Sequence, residues 1–163
     1  MTVLYWAAGA GNEVVVRQLL GRKADTNAKI GKIEATALHI AAVNGRETIV
    51  QLLLSNKANV DAKDFYEKTP LYRAVENGHA VVVRLLLRNG AVVDTSGEDG
   101  RALRSLAAEN GHEAVTKLLL SEKGIDLDSG GGYRHRTPLS LAAENGQGAV
   151  VKLLLERGAS VNI

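Results

Sequence analysis

Four histidines and eighteen Asp and Glu side chains set the chemistry open to this chain, and their spacing closes most of it. His112-Glu113 begins like a zinc-protease helix, which needs a second histidine four residues after the first so that both ligands share one face. Thr116 stands there instead. Asp126-x-Asp128 with Gly130 has the opening of a calcium loop, yet its twelfth position is Thr137 rather than a bidentate glutamate. Gly9-Ala10-Gly11 lacks the third glycine and the preceding strand of a dinucleotide fingerprint, and no Gly-x4-Gly-Lys offers a phosphate loop. Glu76, Glu109 and Glu144 recur at regular intervals. Such carboxylates suggest acid–base work, but a solvated or partner-facing row is the plainer reading. No catalytic residue, metal site or cofactor is therefore expected.

The elements that hold these residues repeat. WAAGAGN, IAAVNGR, RAVENGH, LAAENGH and LAAENGQ place glycines at Gly11, Gly45, Gly78, Gly111 and Gly146, spaced by 34, 33, 33 and 35 residues. A second block, VVRQLL, IVQLLL, VVRLLL, VTKLLL and VVKLLL, recurs in phase. Two periodic blocks per unit predict two helices per unit. Thr69-Pro70 and Thr137-Pro138 supply an N-cap hydroxyl and a proline for the first helical position. The glycine ends that helix in a left-handed conformation. Three copies read Glu-Asn-Gly, a hairpin signal in isolation, but the flanking helical periodicity overrules it. In the second block, apolar positions at i, i+3 and i+4 form one stripe, and Gly90, Gly124 and Gly158 stand at its C-terminal end. Segments rich in Asp, Asn, Gly and Ser link the units as projecting turns. His39, His79 and His112 fall on repeat positions, where a structural hydrogen bond is the expectation, and the Asp126 and Asp128 positions belong to the repeat's own turn.

TALHIA at 36–41, TPLYRA at 69–74 and TPLSLA at 137–142, with LLLxxGA and the Val-Asp or Val-Asn that follow, resemble the signature of the ankyrin-repeat family. The copies RTPLSLAAENG and LLLERGASVN are similar to those of large fungal ankyrin-repeat proteins. The tetratricopeptide repeat has a similar period, but its Trp-Leu-Gly-Tyr pattern is missing. The resemblance implies an all-α ankyrin-repeat solenoid of stacked helix-turn-helix units with projecting β-turn loops. It covers 1–163 as a single domain, with repeats near 2–34, 35–68, 69–101, 102–136 and 137–163. Neither end repeat has the polar outer face that caps a solenoid, so a segment of a longer array is expected.

The fourth copy is odd, because Arg104 stands where Leu4, Leu38, Leu71 and Leu139 stand elsewhere. An unpaired buried guanidinium costs several kcal/mol. Three arrangements avoid that cost: Leu103 fills the slot while Arg104 turns outward, Arg104 reaches the inner groove, or it pairs with Glu98 or Asp99. The same copy has Ala102 and Leu103 in place of the capping threonine and the proline, so the start of its inner helix is expected to be the soft point of the stack.

What remains is a surface. The family resemblance implies non-catalytic recognition of another protein through a concave groove formed by turn tips and inner helices. On this sequence the tips correspond to Lys63, Phe65, Tyr66 and Lys68, then Glu98, Asp99 and Arg101, then Tyr133, Arg134 and Arg136. The inner-helix side corresponds to Val43, Asn44, Glu76, Asn77, Glu109, Asn110, Glu144 and Asn145. The first turn fits least well, since Ile30 and Ile33 disturb the usual Asp and Gly. Composition argues independently: the chain has one Phe, four Tyr and one Trp, yet Phe65, Tyr66 and Tyr133 lie in turns with no core to fill, and aromatics beside Arg anchor many interfaces. A structural spacer or self-association element is the alternative.

Partners other than protein fit poorly. Twenty Lys and Arg against eighteen Asp and Glu, mixed along the chain, leave a net charge of +2, whereas nucleic acid and anionic membranes call for clustered cations. Apolar runs are too short for a membrane span. The first basic residue is Arg17, which leaves no charged region for a signal peptide. The absence of cysteine and of Asn-x-Ser/Thr sites suits an intracellular compartment, cytoplasmic or nuclear. A monomer is expected, with end-to-end association open through the apolar ends.

Overall fold

Each inner helix is bounded by local chemistry already visible in the letters. A computed structural model of the chain describes residues 2–93, 103–121, 127–128 and 136–162. Thr69 Oγ1 accepts the Tyr72 N–H and Thr137 Oγ1 accepts the Ser140 N–H, each at 3.2 Å, with Pro70 and Pro138 just inside the helix. Gly11, Gly45, Gly78, Gly111 and Gly146 close these helices with φ between 63° and 78°, a region that β-carbons resist. The Glu-Asn-Gly triplets are therefore helix ends. The outer helices close at Gly90 and Gly158 in the same way, but the equivalent residues of the first two copies are Lys23 and Lys57, held at φ 62° and 65° without a glycine's freedom.

Ten α-helices result among the described residues: α1 (Val3–Ala10), α2 (Glu13–Gly21), α3 (Ala37–Val43), α4 (Glu47–Ser55), α5 (Pro70–Glu76), α6 (Ala80–Arg88), α7 (Leu103–Glu109), α8 (Glu113–Leu119), α9 (Pro138–Glu144) and α10 (Gly148–Glu156). The chain divides into two compact units, Met1–Val92 and Val93–Ile163. In the first, α1, α3 and α5 pack side by side as an inner layer, with α2, α4 and α6 as the outer one. In the second, α7 packs on α9 and α8 on α10. Alanines make the inner layer tight: Ala8, Ala41, Ala42 and Ala74, and in the second unit Ala107, Ala108 and Ala142, are fully buried. The outer helices bury one stripe, as with Ile49, Val50 and Leu53 of α4, each such side chain worth about 1.5–3 kcal/mol.

Polar ladders join successive repeats. Asn27 Oδ1 accepts the Asn59 N–H at 2.7 Å, Asp61 Oδ1 the Val92 N–H at 3.0 Å and Asp128 Oδ1 the Ser160 N–H at 2.9 Å. These bonds explain the aspartates of the apparent calcium loop as far as Asp128. A second ladder runs over the glycines, where His79 Nε2 meets the Val43 carbonyl at 2.8 Å and Gln147 Nε2 donates to the Glu109 carbonyl at 3.3 Å. A β-carbon on Gly45 would lie 2.6 Å from the His79 ring. Gly45 is thus needed twice, for its φ and for the neighbour lying over it.

In the fourth copy α7 starts at Leu103, in phase with the other inner helices. Leu103 is buried in the place of Pro70 and Pro138, and Arg104 is half-buried rather than turned fully outward.

Candidate partner-binding face

The turn between α4 and α5 is built around one carboxylate. The Glu67 N–H donates to the Asp64 carbonyl at 3.0 Å and the Asp64 N–H to the Lys68 carbonyl at 3.1 Å, closing a tight hairpin with Glu67 at φ 56°. Asp64 Oδ1 accepts the N–H groups of Tyr66 at 2.8 Å and Lys68 at 3.0 Å. Phe65 and Tyr66 are the two central residues of this turn, so their side chains project. They are 63% and 59% exposed, and their rings meet edge to face with centroids 5.4 Å apart. The Phe65 N–H donates to the Ile33 carbonyl at 2.9 Å, tying this tip to the preceding one. In that preceding turn Ile30 bonds Ala35 around a short 3-10 turn at Gly31–Ile33, which is how it does without the usual aspartate.

The other carboxylate oxygen ties the tip to the inner helix. Arg73 Nε and Nη2 donate to Asp64 Oδ2 at 3.1 and 2.6 Å, and Arg73 Nη1 donates to Glu76 Oε2 at 3.1 Å. Asp64 is 5% exposed. Burial pushes its carboxyl up, but the Arg73 guanidinium and the Lys68 and Tyr66 amides outweigh burial and hold it below the usual carboxylate range. Burial likewise pulls the Arg73 guanidinium down, and Asp64 and Glu76 more than restore it. Arg73 occupies the inner-helix position held by Ile40, Leu106 and Leu141 in other copies. Its signal in the sequence is the one that marks Arg104, an arginine at a position that is aliphatic in other copies.

His39 locks the base of the turn. The Thr36 N–H donates to Nδ1 at 3.1 Å, so Nε2 carries the hydrogen that donates to the Lys68 carbonyl at 3.0 Å. Burial lowers its pKa, and the Lys68 bond only partly offsets this, so the ring works as a neutral strut. The Lys68 ammonium lies 4.3 Å from the centroid of the Tyr72 ring, a cation–π contact. Lys63 pairs with Glu67 at 2.9 Å, both about half exposed, which adds little to stability.

The expected site residues thus fall into three groups. Phe65, Tyr66, Lys68 and Glu76 are brought together on the first unit, with Glu76 in an ion pair to Arg73. On the second unit, Arg136 pairs with Glu144, and Glu109 is half-buried with its carbonyl taken by Gln147. Arg101, Tyr133 and Arg134 lie outside the described residues. No motif marks Trp6, which is 56% exposed on α1, its ring edge-on to Tyr5 at 5.4 Å. Among the described residues no three His, Asp or Glu side chains are grouped to hold a metal, and no helix is long and apolar enough to cross a membrane.

Helix pairs at this period, capped by Thr-Pro and glycine and laddered through turn aspartates, define an all-α repeat solenoid. The ankyrin-repeat family model matches three overlapping stretches, residues 4–97, 62–130 and 92–163. The chain belongs to the ankyrin-repeat family. Ankyrin repeats are generally non-catalytic protein–protein interaction modules. No curated protein matches the chain.

Proposed function

We propose that the chain recognises another protein through the turn tips and exposed inner-helix side of its repeats, with Phe65 and Tyr66 as the energetic anchors. One observation carries the reading: two adjacent aromatics stand more than half exposed on a hairpin whose backbone is held at Asp64, Ile33 and Lys68. A rigid apolar tip loses little conformational freedom on binding, which is the condition under which exposed aromatics give affinity. Lys68 and Glu76 flank the anchors, and Arg136, Glu109 and Glu144 supply the polar contacts of the second unit. Under this reading the five repeats serve as one domain. A protein suits the face better than a nucleic acid, because Lys63, Lys68 and Arg73 each engage a carboxylate or a ring within the chain and form no cationic stripe.

Affinity capture from lysate of the source cells tests this, comparing wild type with Phe65→Ala/Tyr66→Ala. A protein retained by the wild type and lost from the folded double variant is the expected result. Equal retention by both would place recognition elsewhere.

A further inference from the structure

The fold sorts charges that are mixed along the sequence. In the first unit the outer helices and the two residues after each, 13–23, 47–57 and 80–90, carry six Lys and Arg against two glutamates, whereas the rest of that unit carries six of each sign. Its whole net side-chain charge of +4 therefore belongs to one layer. Arg17 and Arg84 stand at mid-helix on α2 and α6, and Arg22, Lys23, Lys57 and Arg88 at the C-terminal ends of α2, α4 and α6. All six are exposed, and none of their side chains has an ion pair or hydrogen bond among the described residues. In the second unit the matching lysines each face a glutamate one turn away, Lys117 with Glu113 at 3.4 Å and Lys152 with Glu156 at 3.9 Å. Because α2, α4 and α6 pack side by side, their cations recur at a helix spacing of about 8–10 Å. That is roughly the Debye length at physiological salt, so their potentials add.

Two of these cations are strained. Lys23 and Lys57 have φ 62° and 65° at the position where the third and fifth copies have Gly90 and Gly158 at 85° and 88°. A β-carbon resists that region, and residues held there against preference gather at functional positions. Neither lysine side chain bonds to anything in the chain, so the strain secures no internal contact. A helix C-terminus does favour a cation, but other residues of the last turn can supply one without leaving the right-handed region. What the two lysines add is exposed charge on the layer that is already basic.

We infer that the outer face of α2, α4 and α6 lies against an anionic lipid bilayer. Cations spread over three neighbouring helices match a plane of mobile headgroups, and each adds to the attraction. Val14 and Val81 are exposed one turn before Arg17 and Arg84, where apolar side chains can reach the boundary between headgroups and acyl chains. A nucleic acid fits less well, since these segments contain no aromatic residue on which a base could stack and no helix that stands free to enter a groove. The face shares no residue with the turn tips, so bilayer contact leaves Phe65 and Tyr66 free.

The test is co-sedimentation of the full chain with vesicles of about 30% phosphatidylserine in phosphatidylcholine, at about 1 mM lipid and about 0.1 M salt. The wild type should bind these vesicles, leave pure phosphatidylcholine vesicles alone, and bind about tenfold more weakly or worse in about 0.5 M salt. Lys23→Gly/Lys57→Gly removes two charges and two strained residues together. It should melt no lower than wild type and bind about 25-fold more weakly, at about fivefold per cation. Arg84→Gln/Arg88→Gln should lose a similar amount. Lys29→Gln/Lys32→Gln removes the same charge from the first turn and should stay within about twofold of wild type. The inference is overturned if wild type ignores phosphatidylserine or binds both vesicles alike. It is equally overturned if Lys23→Gly/Lys57→Gly binds as wild type does, or if the first-turn variant loses as much. Tighter binding to a short DNA duplex than to the anionic vesicles would overturn it too, by giving the face to nucleic acid.

Discussion

Replacing Asp64 tests how the aromatic tip is held. The carboxylate accepts two main-chain N–H groups through one oxygen and the Arg73 fork through the other. In Asp64→Asn the amide oxygen can keep the backbone bonds, but the NH2 that replaces Oδ2 cannot accept the Arg73 fork, a loss of about 1.5–3 kcal/mol, the range for a hydrogen bond to a charged group. Asp64→Ala also releases the Tyr66 and Lys68 amides and leaves Arg73 with Glu76 alone. Removing one member of a buried pair costs about 3–5 kcal/mol. Arg73 is 23% exposed and the tip can rehydrate, so about 3 kcal/mol is expected. Arg73→Leu restores the aliphatic residue of other copies and should cost about 1 kcal/mol, with a coupling to Asp64 of about 1–2 kcal/mol in the double-mutant cycle. Urea unfolding followed by far-UV circular dichroism measures the losses, and native-state hydrogen exchange at the Tyr66 and Lys68 amides localises them. The pH dependence carries the same sign. Asp64 titrates lower in the folded chain than unfolded, so the unfolded chain binds more protons and stability falls as pH drops below about 4. Asp64→Asn should flatten that part of the curve. If Asp64→Ala loses less than about 0.5 kcal/mol, the carboxylate is not what holds the turn.

Further outcomes follow from single residues. The His39 ring should titrate below about 6.5 by NMR, and because its folded pKa is the lower one, stability should decline as pH falls below that value; His39→Gln should remove this dependence. Gly45→Ala meets the His79 ring as well as a positive φ and should destabilise by more than about 2 kcal/mol, whereas Gly146→Ala meets only the φ and should cost about 1 kcal/mol; equal losses in thermal melts would remove the steric part of the argument. Lys57→Gly relieves a left-handed lysine and should raise stability by about 0.5 kcal/mol, the strain relieved less the entropy added to the unfolded chain. The amides of α7, which begins without a capping threonine, should exchange faster than those of α9, where Thr137 accepts the Ser140 N–H.

Helix boundaries were legible because their causes are local: a threonine hydroxyl three residues from an N–H, and a glycine where φ turns positive. The turn aspartates were legible as structural for the same reason, since they recur in phase. Lys23 and Lys57 were not, because no local rule says which copies of a glycine position tolerate a side chain. The Asp64–Arg73 tie was also missed. Nine residues separate the pair, and only the hairpin that Asp64 itself closes brings the carboxylate over the helix. Trp6 illustrates a different gap, since its letter says aromatic but no local rule gives its exposure. The aromatic tip was readable from composition, whereas the bonds to Ile33 and Lys68 that hold its backbone are announced by no motif.

Site-specific photocrosslinking tests the recognition face most directly. A photoreactive phenylalanine analogue replaces Phe65 in one protein and Arg84, exposed on the outer helix α6, in another, and both are irradiated in lysate of the source cells. The account predicts a discrete crosslinked protein from position 65 and none from position 84. Crosslinking from position 84 alone, or the same adduct from both, would contradict it.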